Sequence, residues 1–318
     1  MDIKKILRAA SYAGEDKNAP LIEMSNVTPY YKPSSLQDPT LVFESRFESG
    51  NLFSALKVSD NEYNMLLSND VNTSGHTQWF FFWVSNTWKG QKVRFNLMNF
   101  SKPDSLFNHG MKVLIHSEKK VDKEDVGWHW GGSSICYYAN GIRRENLKYY
   151  KTYYTLTFTH EFEFDGDMVY FAYCYPYTYT ELKNYLLAVE RDPEKSKFCI
   201  IWTLCTTLAG NKCDYLTITS RKPGNKKGVV ISARVHPGES VGSWMMKGVL
   251  DFLTDPDNKE ACLLRDNYIF KIIPMLNPDG VINGNYRCSL AGCDLNRRWK
   301  TPSKVLHPTI YHLKKMIA

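Results

Sequence analysis

No apolar run in this chain approaches the ~18 residues that a membrane-spanning helix needs, and the opening Met1-Asp2-Ile3-Lys4-Lys5 leads into no secretory apolar region. These absences argue against a membrane protein and a secreted one, and they place the chain in the cytoplasm. The eight cysteines include no Cys-x-x-Cys, so neither a zinc ribbon nor a disulfide framework is indicated, and reduced, mostly buried thiols are expected. Nothing has the pattern of a nucleic-acid-binding module, and the His-Glu-x-x-His of helical zinc proteases is missing.

What is present is ordinary in bulk. With 43% hydrophobic and 23% charged residues over 318 positions, the chain can bury roughly three quarters of its unfolded surface in about two domains. The net charge of +7 suits an acidic partner but is spread over many positions. Lys222, Lys226 and Lys227 read as a solvated loop rather than a binding patch.

Residues 1–40 are polar and Pro-punctuated, with one short helical pattern near Ile3 to Ser11, and read as a lead-in. From 41 to 190 short β-type runs are parted by turn residues: Thr77–Val84, Lys92–Leu97, Lys112–Ile115, Tyr153–Phe158 and Met168–Tyr173. They predict an antiparallel β-sandwich whose alternate aromatics are inner-face packing. His109, His116, His129 and His160 lie in or beside these runs with no ligand spacing to one another. Leu182, Tyr185, Leu186 and Val189 recur at helical spacing before Asp192-Pro193, and a domain boundary near 190 follows.

From 191 to 318 strands and helices alternate, which predicts an α/β domain with a mostly parallel mixed sheet. A helix is expected over Ser240–Leu253 with Val241, Trp244, Met245, Val249, Phe252 and Leu253 as its apolar face. A second lies near Lys259–Arg265, and a strand over Tyr268–Leu276 contains an awkward Pro274. The β-branched run Val229–Val235 ends on Arg234-Val235-His236-Pro237-Gly238-Glu239-Ser240. Pro237 and Gly238 forbid a helix there, so His236 and Glu239 converge across a tight turn. Zinc accepts one imidazole and one carboxylate of this kind, and a catalytic site needs a third protein ligand and an open water position. Alone, a His-x-x-Glu is a common spacing, and the plain reading is a histidine at a strand end.

Its company is more specific: Asn277-Pro278-Asp279-Gly280, then Asn283-Gly284-Asn285-Tyr286-Arg287, then Gly292-Cys293-Asp294-Leu295-Asn296-Arg297-Arg298-Trp299. In this order the set resembles the M14 metallocarboxypeptidase family. Phe43-Glu44-Ser45-Arg46-Phe47-Glu48-Ser49-Gly50-Asn51-Leu52, Tyr173–Tyr179 and His307–His312 narrow the resemblance to the cytosolic carboxypeptidases that trim glutamate from tubulin.

The resemblance implies that His236 and Glu239 hold Zn2+ and that Arg287 stabilises the oxyanion. It implies that Asn296 and Arg297 hold the substrate's terminal carboxylate, a task for which a guanidinium fork and an amide are suited. Asp294 reads as a turn or packing carboxylate, and Arg298 as a surface residue. The resemblance also implies polyglutamylated tubulin or other acidic tails as partners, no nucleic acid and no membrane, and a cytoplasmic protein associated with microtubules or cilia. The resemblance implies that the third zinc ligand and the general base lie beyond a segment resembling His307 to Ile317, and so beyond residue 318; His307 and His312 match family positions that are not ligands. Two other readings stay open: a catalytically incomplete member that binds acidic tails, and a zinc acyl-amino-acid deacylase on the same scaffold.

Overall fold

The structure is a computed structural model and describes residues 30, 33–35, 37–144 and 152–318. The helical pattern near Ile3 to Ser11 lies outside the described residues. The described residues form two compact units: those before Asp70 with those from Gly75 to Cys174, and Asp70–Ser74 with Tyr175–Ala318. The change of unit falls at Cys174/Tyr175, ahead of the boundary read near 190, because the helix before that boundary packs on the second unit's sheet.

The first unit contains strands β1 (Val42–Glu44), β2 (Leu52–Ser59), β3 (Glu62–Leu67), β4 (Phe81–Ser85), β5 (Lys92–Phe100), β6 (Val113–Ser117), β7 (His129–Gly131), β8 (Ser133–Arg143), β9 (Thr152–Glu161) and β10 (Val169–Ala172). They form two five-stranded sheets, ordered β1-β4-β10-β6-β7 and β2-β3-β5-β9-β8. Pairing is antiparallel except for β3 with β5, which run parallel and correct the expectation of a wholly antiparallel domain. Rings from the two sheets meet directly: Phe43 lies 5.0 Å from Tyr63, and Phe171 lies 5.2 Å from Phe95 and 5.6 Å from Phe158. Phe80, Phe82, Phe95, Phe158 and Phe171 are all fully buried, so the aromatic alternation is packing, where each ring removes a large apolar area from water.

His160 on β9 sits within this aromatic layer, its ring 4.9 Å from Phe162 and 5.3 Å from Phe171. Burial pushes its pKa down from 6.5 to about 4, against a smaller opposing pull from Glu163. Below its unfolded pKa the unfolded chain takes up a proton that the folded unit refuses. This unit is therefore expected to lose stability as the pH falls from 6.5 towards 4, by roughly 2 kcal/mol between about pH 7 and about pH 5. Denaturant midpoints at the two pH values would measure this, and His160→Gln should flatten that difference.

The second unit contains α1 (Tyr179–Arg191), β11 (Cys199–Thr206), β12 (Lys212–Ile218), β13 (Lys227–Ser232), α2 (Ser240–Leu253), α3 (Lys259–Asn267), β14 (Tyr268–Ile273), α4 (Pro278–Ile282) and α5 (Pro308–Ile317). Thr178 and Glu181 close a capping box at the start of α1, satisfying two amide donors that a helix end leaves open. The sheet runs β11-β12-β14-β13, and only β13 with β14 is parallel; the other two pairings are antiparallel. The sheet is mixed, as expected, but it is mostly antiparallel rather than mostly parallel, because β11 and β12 form a hairpin ahead of the β13-α2-α3-β14 crossover.

Alternation along β12 and β14 divides the core. Leu216, Ile218, Phe270 and Ile272 meet Leu182, Leu186 and Val189 of α1 and Met246, Leu250 and Leu253 of α2. Cys213 and Ile273 lie with Leu295 and with Ile310 and Leu313 of α5. Strand β14 stops at Ile273, so Pro274 needs no ladder donor.

Two readings change here. The buried stripe of α2 is Ser243, Met246, Leu250 and Leu253, whereas Val241, Trp244, Met245 and Phe252 are exposed. The helix is apolar on more than one side, and spacing alone did not choose between them. Strand β13 ends at Ser232 and lies at the sheet edge with Val230 exposed, so His236 stands four residues beyond the strand rather than at its end. All eight thiols are free, but only Cys199, Cys213, Cys288 and Cys293 are buried.

Candidate metal centre

The site is built from the loops that follow β13 and β14. Beyond β13 the chain stays tied to β14 for one more step, Ala233 N–H donating to Ile273 O at 3.0 Å and Leu276 N–H to Ala233 O at 3.0 Å. Arg234 then turns the backbone through the left-handed region at φ 54°. That conformation is uncommon for a side-chain-bearing residue, and buried contacts hold it. Nε donates to Pro237 O at 2.8 Å, and Nη1 donates to Tyr177 O at 3.0 Å and to Ser243 Oγ at 2.7 Å.

The turn that follows is packed on the next loop. Gly238 N–H donates to Tyr286 O at 2.8 Å, and a β-carbon at 238 would lie 2.6 Å from Tyr286 Cδ2 and 2.9 Å from its carbonyl oxygen. Only glycine allows this approach, which fixes the His236–Glu239 turn against the loop bearing Arg287. On the other side Asn277 caps α4, accepting from Gly280 N–H at 3.1 Å, and its amide donates to Val235 O at 3.3 Å.

His236 is buried, and its two ring nitrogens face different carboxylates. Nε2 lies 3.0 Å from Asp294 Oδ1, and Nδ1 lies 3.2 Å from Glu239 Oε1. Asp294 is also the partner of Arg287: Nε donates to Oδ2 at 2.9 Å and Nη2 lies 2.7 Å from the same oxygen. The amide of Asn296 completes the shell at 2.8 Å. Burial raises the Asp294 pKa, but hydrogen bonds from His236 and the Asn296 amide and the charge of Arg287 outweigh it and hold the group below the ordinary carboxylate range. Asp294 is thus a hub joining the imidazole to the guanidinium, not the simple turn carboxylate read from its position.

In the tautomer that directs Nε2–H at Asp294, Nδ1 presents a lone pair to the Glu239 carboxylate. Two acceptors 3.2 Å apart repel unless a proton or a cation lies between them. An imidazole oriented by a carboxylate on its far nitrogen, beside a half-exposed carboxylate, is the donor set that zinc takes. The residues present therefore fit two ligands of such an ion. Among the described residues no group of three or more His, Cys, Asp or Glu could hold a metal. His307 does not join them, as its Nδ1 accepts the amide of Ser303 at 3.0 Å.

Of the other residues singled out, Asn296 and Arg297 lie in the short 3-10 turn Leu295–Arg297, which Asp294 caps. Asn296 Oδ1 accepts from Trp299 Nε1 at 3.1 Å. Together with Glu239, Met245 and Trp299, Asn296 lines a groove of about 470 Å³ in this unit. Arg297 is exposed, and among the described residues its side chain makes no hydrogen bond or ion pair with the site. The structure thus brings His236, Glu239, Asp294 and Arg287 together and leaves Arg297 standing out from them.

Comparison with known proteins agrees with this architecture. Residues 184–310 match the zinc carboxypeptidase model of the M14 peptidases, and residues 43–174 match the cytosolic carboxypeptidase N-terminal domain. The chain is 47% identical over 295 residues to cytosolic carboxypeptidase 3 of Mus musculus, covering 92% of this chain and 29% of that protein. It is 50% identical over 286 residues to cytosolic carboxypeptidase 2 of Homo sapiens, covering 88% of this chain and 31% of that protein. Among solved structures, a putative carboxypeptidase from Burkholderia mallei superposes with a TM-score of 0.71 at 25% identity, over 90% of this chain and 67% of that one. The class is therefore the M14 zinc carboxypeptidases, and within it the chain belongs to the cytosolic carboxypeptidases. It spans about 30% of the length of the curated relatives it matches. No helix among the described residues is long and apolar enough to cross a membrane.

Proposed function

We propose that this chain serves a zinc metallocarboxypeptidase that removes C-terminal or side-chain glutamates from polyglutamylated proteins such as tubulin, in the cytoplasm and in association with microtubules or cilia. The observation that carries the reading is the single carboxylate of Asp294, which joins a histidine already paired with Glu239 to the arginine needed for a developing negative charge. In this reading His236 and Glu239 are metal ligands. Asp294 sets the imidazole tautomer so that Nδ1 is the ligating nitrogen, as such outer carboxylates do. Zinc, when bound, polarises the scissile carbonyl and lowers the pKa of a water.

The chain's own residues do the rest. Arg287 keeps Nε and one face of Nη2 on Asp294, which pins the guanidinium while other N–H groups remain for the oxyanion. Asn296 and Arg297 take the free carboxylate at the substrate's end, Arg297 by a two-pronged ion pair. The two β-sheets of the first unit form the sandwich domain that precedes the catalytic part, and glutamate preference rests on the family relationship.

A second reading rests on Arg297, which is exposed and stands apart from His236 and Glu239. On it the chain would bind acidic tails through Arg287 and Arg297 without cleaving them. The two are separated by assaying free glutamate release from a polyglutamylated tubulin tail, using the chain as given and the product of its reading frame continued past Ala318. Release that zinc restores after chelation, and that His236→Ala abolishes, is the expected result. Tail binding without release from either sample would replace the enzyme with the binding module.

A further inference from the structure

Residues 70–74 lie in sequence between β3 and β4, yet they belong to the second unit. Asp70 is 2% exposed, and its carboxylate is wrapped by three successive backbone amides of the Arg287 loop. Oδ1 accepts from Tyr286 N–H at 2.6 Å, and Oδ2 accepts from Arg287 N–H at 2.8 Å and Cys288 N–H at 2.7 Å. Successive amides curled round one anion form a nest, and hydrogen bonds to a charged acceptor are about twice as strong as neutral ones.

The neighbours of Asp70 seat the same segment. Val71 N–H donates to Asn285 Oδ1 at 3.3 Å, and Asn72 Nδ2 donates to Leu290 O at 2.7 Å. Gly292 has φ 68°, and a β-carbon there would lie 2.4 Å from Asn72 O. The loop and the segment are shaped to each other along their length.

We infer that Asp70 is a positioning residue for Arg287: its carboxylate fixes the backbone of residues 286–288 and so sets where the guanidinium meets Asp294. The path is continuous, from Asp70 through the three amides to Arg287, from Arg287 Nε to Asp294, and from Asp294 to His236. The same loop carbonyl, Tyr286 O, accepts from Gly238 in the metal-binding turn. A residue outside the span 184–310 matched by the zinc carboxypeptidase model thereby controls a group inside it. The catalytic part of the inference rests on the proposed function; the loop-fixing part does not.

The test uses Asp70→Ala and Asp70→Asn in the otherwise unchanged protein, with hydrogen exchange of the peptide spanning 284–290 and kinetics of glutamate release. Asp70→Ala should speed exchange at 286–288 while α2 keeps its protection. It should lower kcat by up to about 10²-fold, the cost of displacing a catalytic group by about 1 Å, with KM within about threefold, since Asn296 and Arg297 sit on a turn capped by Asp294. Asn keeps one acceptor oxygen in place and should recover part of both effects. Unchanged protection at 286–288 would overturn the inference. So would lost protection with unchanged kcat, or a fall in kcat that only tracks the folded fraction. If the unsubstituted protein releases no glutamate, the proposed activity falls, and the exchange measurement alone decides whether Asp70 holds the loop.

Discussion

On the proposed function, Arg287→Ala is expected to lower kcat for glutamate release by about 10²–10³-fold, the usual effect of removing one preorganised donor to an oxyanion. KM should change little, because the interaction is made in the transition state and not with the ground-state carboxylate. The arginine is already immobilised by Asp294 at 2.9 and 2.7 Å, so little reorganisation is required when charge develops. Arg287→Lys should recover only a small part, as an ammonium cannot reproduce the fork that holds Nε and Nη2 on one oxygen.

Zinc content is the necessary control, since Asp294 also orients His236 at 3.0 Å. Loss of Arg287 with zinc retained and kcat lowered supports the oxyanion role. Loss of zinc in proportion to activity would move Arg287 to the support of the metal ligands instead. An unchanged kcat would remove it from catalysis altogether.

Much of this arrangement was legible in the sequence, though unevenly. Helix α2 was read to the residue, because Pro237 and Gly238 bar a helix before Ser240 and the apolar spacing carries to Leu253. Its buried face was misread because Val241, Trp244 and Met245 offer an equally apolar alternative, and only the position of the sheet chooses between them. Parallel pairing was overestimated for a related reason. Strand and helix alternation reports the β13-to-β14 crossover but says nothing of the β11-β12 hairpin that joins the same sheet. The short helix at Pro278 was hidden in what reads as a turn sequence.

The convergence of His236 and Glu239 was legible, because Pro237 and Gly238 force a tight turn there, and that turn does bring Nδ1 and Oε1 to 3.2 Å. The site was not legible where a common residue acts through geometry. Asp294 looked like a turn former, and it is one, capping the 3-10 turn at Leu295–Arg297, but the same carboxylate also meets His236 and Arg287. Asp70 stands more than two hundred positions before the amides it holds. Nothing in its local sequence distinguishes it from any aspartate after a strand.

The largest effect on stability is expected at Arg234. Its guanidinium ties three pieces of the second unit: the carbonyl of Tyr177 ahead of α1, the carbonyl of Pro237 in the His236–Glu239 turn, and the hydroxyl of Ser243 in α2. Arg234→Met leaves these buried acceptors without their donor, and each buried acceptor left unsatisfied costs roughly 1–3 kcal/mol. Denaturant unfolding should show a lower midpoint with an unchanged slope, the signature of lost stability in an intact native state. Arg234→Gly separates the side chain from the backbone. At φ 54° a glycine relieves the left-handed strain, so this variant should lie about 1 kcal/mol above Arg234→Met. An unfolding free energy for Arg234→Met within about 1 kcal/mol of the unsubstituted protein's would show that the guanidinium does not hold these pieces. The turn bearing His236 and Glu239 would then owe its shape to Gly238 packed on Tyr286, to the Asn277 amide on Val235 O and to the contact of His236 with Asp294.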